Sequence, residues 1–292
     1  MAYTGEVINS LQEALSIFLN NAQIAKGNGD KRILMYRGQA DKNFGISPSI
    51  FRKNGLKREA QMIQELKSLA PAEFAYGDSA LDCLVKMQHY GLPTRLLDIT
   101  SNPLVALYFA CSDESCKSVD GEIITFYDYF TPHNSSAIDL YARLSTYDGE
   151  SNQDLEKLVN FTSSPVSFIN HENKPKMDEI KKYFQNKYFT ISVPLNNERI
   201  RRQHGAFLLF GMSIEEQLNP FKKEAFDIKK HILVDNDEKI CRSIIIPAET
   251  KDEILKTLDV IGINRAFLFP EFEHQASYVK QKYLDLEAED EE

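Results

Sequence analysis

The stretch "LPTRLLDITSNPLVALYFAC", residues 92–111, decides the fold. Leu96, Leu97 and Ile99 give its first half strand character, and its second half turns directly into a helical run. Asn102 is suited to cap that helix, and Pro103 fits the first helical position, where a missing N–H costs nothing. The stretch therefore reads as a strand that feeds a helix N-terminus. Exposed backbone N–H groups and the positive end of the helix dipole meet there and favour negative charge. Thr100 and Ser101 stand at the junction, either as ligand contacts or as helix caps.

Working outward, the N-terminal side supplies a helix, a strand and two more helices. Ser10 and Glu13 have capping-box spacing, and Leu11, Leu15, Phe18 and Leu19 follow with helical period. After "NGD" (28–30), "RILMYRG" reads as a short buried strand that ends at Arg37 and Gly38. Residues 57–70 are helical up to Pro71, and "ALDCLVKMQHYG" is a helix with Gly91 as its C-terminal cap. On the C-terminal side, "GEIITFYDY" (121–129), "YFTISVP" (188–194), "GAFLLFG" (205–211), "HILV" (231–234) and "RSIIIP" (242–247) read as strands. Residues 130–175 are polar and loop-like, an insertion or lid. "KDEILKTLDVIG" and "EFEHQASYVKQKY" close the chain as helices around a short apolar "AFLFP".

No fixed-period repeat appears, and strands and helices mix without regular β-α-β alternation, so an α+β single domain is expected. Its bounds are an N-terminal helix over 1–30, the domain proper over 31–283 with the insertion at about 130–175, and an acidic tail over 284–292. Neither GxGxxG nor GxxxxGK[ST] is present, which removes support for the usual nucleotide folds.

Of the 292 residues, 42% are hydrophobic, enough for a core that needs no staples. Cys83, Cys111, Cys116 and Cys241 form no C-x-x-C pair and have no companion histidine spacing, which argues against a disulfide framework and a zinc site; no metal is expected. A reducing, cytoplasmic setting follows, and no segment has the length and apolarity of a membrane span. The net charge of −9 repels nucleic acid, although Arg199, Arg201 and Arg202 in "ERIRRQH" and the cations of "FRKNGLKRE" form local basic clusters.

Three places carry candidate chemistry. Arg37 beside Gly38 at a strand end either binds an anion or pairs with a carboxylate such as Asp98. "QHYGLPTRLLD" sets Gln88, His89, Tyr90, Thr94, Arg95 and Asp98 among leucines, with Arg95 and Asp98 as an internal pair and His89 and Tyr90 able to stack on a base. Gln203 and His204 precede the strand "GAFLLF", with Glu198 shortly before them.

"MYRGQ" (35–39), "MQHYGLPTRLLDITSNPLVALYFAC" (87–111), "NERIRRQHGAFLLFG" (197–211) and the closing "AFLFPEF" together resemble the signature blocks of the FRG domain, a family found in prokaryotic and phage-related proteins. The resemblance runs from Arg32 to Tyr283. The order of strand-Arg-Gly, strand-polar turn-helix and late strand is also similar to the Arg-Ser-Glu class of ADP-ribosyltransferases. That likeness implies a mainly antiparallel, mixed split sheet flanked by helices. It also implies NAD as substrate and transfer of ADP-ribose to a macromolecular target, protein or nucleic acid, in a toxin or anti-phage defence setting with an antitoxin or regulatory partner. Carried over, Arg37 takes the first catalytic position, Thr100 and Ser101 the second, and Gln203 the third, where the family has a glutamate. Gly38, Gln39, His89, Tyr90, Arg95, Asp98 and Asn102 would line the cofactor site. With glutamine at the third position, Glu198 or Asp98 must supply any carboxylate the chemistry needs. Two alternatives stand beside this: a non-catalytic module binding phosphate or nucleic acid through Arg37, Arg95 and residues 199–202, and a nuclease or hydrolase using His89, Asp98 and His204.

Overall fold

Strands β1 (Glu6–Val7), β2 (Ile33–Gln39), β3 (Leu96–Thr100), β4 (Gly121–Asp128), β5 (Tyr188–Ile191), β6 (Gly205–Phe210) and β7 (Ile240–Ile246) form one mixed sheet in the spatial order β1-β7-β4-β2-β3-β6-β5. These elements come from a computed structural model that describes residues 6–27, 31–75, 77–147, 188–194, 197–211 and 240–289. The β1–β7 pair is parallel and the other pairs are antiparallel. With the helices on its face, the sheet makes a single α+β domain.

The sheet has a seam. β2 pairs with β4 along its whole length, and β3 does the same with β6, but β2 and β3 meet only at Tyr36 and Thr100. Beside that point the Asp98 carbonyl accepts a hydrogen bond from Arg37 Nη1 at 2.7 Å. The expected split is thus a narrow join within a continuous sheet. Packing holds it closed: Met35, Ile124 and Phe126 on one side of the seam share a cluster with Leu97, Ile99, Leu208 and Phe210 on the other. Each such side chain contributes roughly 1.5–3 kcal/mol when buried, against about 1 kcal/mol for a ladder hydrogen bond.

Helices α1 (Leu11–Gly27), α4 (Pro103–Cys111) and α7 (Lys251–Val260) cover the β2-β4-β7 half. α2 (Glu59–Leu69), α3 (Ala80–His89) and α5 (Ser136–Arg143) cover the β3-β6-β5 half. α4 is apolar all round because it is buried all round, which is why its sequence shows no amphipathic stripe. It lies against the sheet where side chains are missing. A Cβ on Gly38 would fall 1.8 Å from the Ala106 carbonyl oxygen, and one on Gly121 would fall 2.4 Å from that of Ala110. Gly38 is therefore a packing glycine as well as a residue at the strand end.

The region expected to be loop-like contains α5, which buries Ile138, Tyr141 and Ala142 in the core. Its apolar residues are few and set among serines and charges, so the helical period was easy to miss; residues 148–175 lie outside the described residues. So does "HILV". α6 (Glu198–Arg202) occupies what read as a basic cluster, capped by Asn197 through hydrogen bonds from Arg199 N and Ile200 N. α8 (Arg265–Leu268) forms within "AFLFP", and α9 (Phe272–Glu289) runs on through the first residues assigned to the acidic tail. No helix among the described residues is long and apolar enough to cross a membrane.

Candidate functional site

A cavity of about 430 Å³ opens at the seam, walled by the ends of β2, β3 and β6 and by α4 and α6. Arg37, Arg52 and Arg199 reach it from three separate segments. None of the three makes an ion pair among the described residues. Arg37 is half-buried, donates to the Asp98 carbonyl, and leaves its buried Nε with no acceptor. Burial pulls its pKa down, the Asp98 charge pulls it up, and Arg52 pulls it down again. Arg199 lies over the ring of Phe269, 4.6 Å from its centroid. An unpaired, partly desolvated guanidinium such as Arg37 is costly unless an anion completes it, and with the half-buried Arg199 and the exposed Arg52 beside it the cleft is a place prepared for negative charge.

Of the residues singled out in the sequence, Arg37, Gly38, Gln39, Asp98, Thr100 and Gln203 line this cavity. Several already have internal duties. The Gln39 amide donates to the Phe44 carbonyl at 3.2 Å. Thr100 Oγ1 donates to the Gln203 carbonyl at 2.7 Å and accepts from Asn102 N at 3.0 Å. Gln203 ends α6, ahead of the strand, and its side-chain amide donates to the Leu268 carbonyl at 3.1 Å. His204, at φ 47°, makes the turn into β6, and its carbonyl accepts from Ser101 N.

Ser101 and Asn102 stand outside the cavity wall. Ser101 is exposed, and Asn102 is the cap of α4, with Oδ1 accepting from Leu104 N at 3.0 Å. His89 and Tyr90 line a different cavity, of about 920 Å³, beyond α6. There His89 meets Tyr90 edge-on and lies 3.8 Å from Glu271. Burial and the Arg199 charge lower its pKa against the opposing pull of Glu271.

The Arg95–Asp98 pair is overturned. Arg95 is fully buried and paired with Glu59, the first residue of α2, through Nε at 2.9 Å and through Nη2. A strand alternates its faces, but Arg95 precedes β3 and points into the core beside α2, a partner far away in sequence. Glu198 is also occupied, bonded by Arg202 Nε at 2.9 Å and by Arg201, which together hold its carboxyl below the usual range. Arg201 and Arg202 of the basic cluster are thereby paired on their own helix, while Arg199 is not. Among the described residues no group of three or more His, Cys, Asp or Glu is placed to hold a metal.

The sequence reading did not single out Arg52 or Phe109, both in the cavity wall. Arg52 leaves an irregular turn and Phe109 belongs to a helix that reads as pure core, so neither carries a local pattern; only the basic composition around residue 52 was a pointer. Comparison with curated proteins and with solved structures gives no match. The family comparison covers β2 through α4, and so Arg37, Arg52, Asp98 and Thr100, while the resembling blocks at 197–211 and near the C-terminus lie beyond it. Residues 32–118 of this chain match the family model described as the FRG domain.

Proposed function

We propose that the seam cleft binds the diphosphate of NAD+ and that the protein is an ADP-ribosyltransferase-like enzyme, transferring ADP-ribose to a macromolecular acceptor. The observation that carries this reading is the set of three guanidiniums, Arg37, Arg52 and Arg199, that share the cavity with no ion pair among the described residues. A diphosphate supplies two adjacent anionic centres with several acceptor oxygens, and planar guanidiniums match them. Phe109 and Phe44 in the same wall offer apolar surface for a base or nicotinamide ring. The cavity volume lies within the usual range for ligand pockets.

Calorimetric titration of NAD+ into the full chain, with nicotinamide release followed in parallel, tests the reading. The unaltered protein is expected to bind and to release nicotinamide. Arg37→Met is expected to lose roughly ten- to a hundredfold in affinity, the weight of a charge-assisted hydrogen-bonded contact. Absence of NAD+ binding by the unaltered protein overturns the reading. A second reading, a non-catalytic diphosphate-binding module, is favoured by the internal hydrogen bonds that occupy Thr100 and Gln203. Binding of pyrophosphate and ADP-ribose as tight as that of NAD+, with no nicotinamide released, would select it.

A further inference from the structure

The polar density of "QHYGLPTRLLD" resolves into a directed chain of hydrogen bonds that ends in the cleft. Leu96 N donates to Thr94 Oγ1 at 3.1 Å, which leaves the threonine hydroxyl to donate to Gln88 Oε1 at 2.7 Å. The Gln88 amide nitrogen then donates to Asp98 Oδ2 at 2.9 Å. A carboxylate only accepts, so the orientation of the glutamine amide is fixed from both ends. Asp98 is the exposed residue of a strand whose other four positions are buried, and its Oδ1 has no partner among the described residues.

We propose that Asp98 is the carboxylate used in the NAD+ reaction and that Gln88 and Thr94 are the positioning residues that hold it; the proposal rests on the reading of the cleft as an NAD+ site. Of the competing groups, Glu198 is held by Arg201 and Arg202 and the Gln203 amide by Leu268, while Asp113 is bonded through Oδ1 by the Ser115 amide and hydroxyl and stands after the C-terminus of α4 rather than on the seam strands. Arg37 and Asp98 attract each other across the seam, yet Arg37 bonds to the Asp98 backbone while Gln88 takes the side chain. Both charged groups are thus left without an ion-pair partner among the described residues.

In the reaction, the C1′–N bond of NAD+ breaks with its electron pair passing to the ring nitrogen, which releases neutral nicotinamide. The Asp98 carboxylate opposes the positive charge that develops on the ribose. The acceptor X–H forms the new C1′–X bond, and its proton passes to Asp98 and then to water. The balance is NAD+ plus HX giving ADP-ribosyl-X, nicotinamide and a proton.

The test uses near-isosteric variants of the full chain, each checked for an unchanged unfolding midpoint, with NAD+ affinity and nicotinamide release both measured. Asp98→Asn is expected to lower kcat about a hundredfold or more with NAD+ affinity changed only a few-fold. Gln88→Glu removes the donor and is expected to lower kcat about tenfold at unchanged KM, whereas Thr94→Ser, which keeps the hydroxyl, retains activity. Adding Gln88→Glu to Asp98→Asn should cost nothing more, because Gln88 acts through Asp98. Unimpaired turnover by Asp98→Asn in a protein that binds NAD+ overturns the proposal and leaves the NAD+ reading standing. Equal losses from Gln88→Glu in both backgrounds overturn the positioning role. An unaltered protein that does not bind NAD+ overturns both.

Discussion

Arg95 and Arg37 both meet strand β3, one just before it and one across the seam, yet their surroundings differ in the one respect that separates structure from function. Arg95 is fully buried and its charge is matched by Glu59 at hydrogen-bond distance, with the Phe210 carbonyl as a further acceptor at 3.4 Å. Arg37 is half-buried, its carboxylate neighbour is held elsewhere by Gln88, and its Nε has no acceptor. A core must satisfy its charges within itself; a binding site leaves a charge to be satisfied by what binds.

The largest effect expected from breaking this comparison falls on the matched arginine. Glu59→Ala leaves Arg95 buried without a counter-charge and should destabilise the protein by about 3–5 kcal/mol, read as a lower urea midpoint at unchanged slope. Replacing both partners by methionine should recover most of that loss, since an apolar pair of similar volume removes the unmatched charge. If Glu59→Ala unfolds at the same urea concentration as the unaltered chain, Arg95 is not held as described.

Arg37→Met should do the opposite. It removes an incompletely satisfied cation, so stability should stay within about 1 kcal/mol of the unaltered protein, measured as the same urea midpoint, while NAD+ binding falls. A loss as large as that of Glu59→Ala would place Arg37 among the structural charges.

The smallest effect sharpens the boundary between the two cavities, where His89 lies near Arg199 and Glu271. Burial and Arg199 hold the folded-state pKa of His89 below its unfolded value of about 6.5. The native state therefore binds fewer protons in that window, and the stability carried by neutral His89 is present above the unfolded pKa and lost as pH falls through the folded one. The thermal midpoint should drop more between pH 7.5 and pH 5.5 in the unaltered protein than in His89→Gln. An identical drop in the two would assign the acid sensitivity elsewhere.

Much of the fold was legible because its signals are local. The strand-to-helix junction at 92–111 declared itself through Asn102 and Pro103, and both do what their chemistry favours. The strands at 33–39, 121–128 and 205–210 were visible as apolar runs that the sheet buries. α5 and α6 were not, since one hides its period in a polar stretch and the other is barely longer than a turn. In the site, Arg37 was legible as an oddly placed cation. The roles of its neighbours were not, because Gly38 answers to Ala106, Arg95 to Glu59, and Gln203 to Leu268, each a contact between distant parts of the chain.

The sequence by itself determined the α+β class, most of the strands, the junction at Thr100 and Ser101, and the chemical types present at the seam. Only the tertiary structure decided which charges are matched. Propensity and capping act over a few residues, whereas whether a cation has a partner depends on chain segments that meet only when the sheet closes. That closure gives Arg95 its carboxylate, and it brings Arg37, Arg52 and Arg199 to one cleft without an ion pair among the described residues.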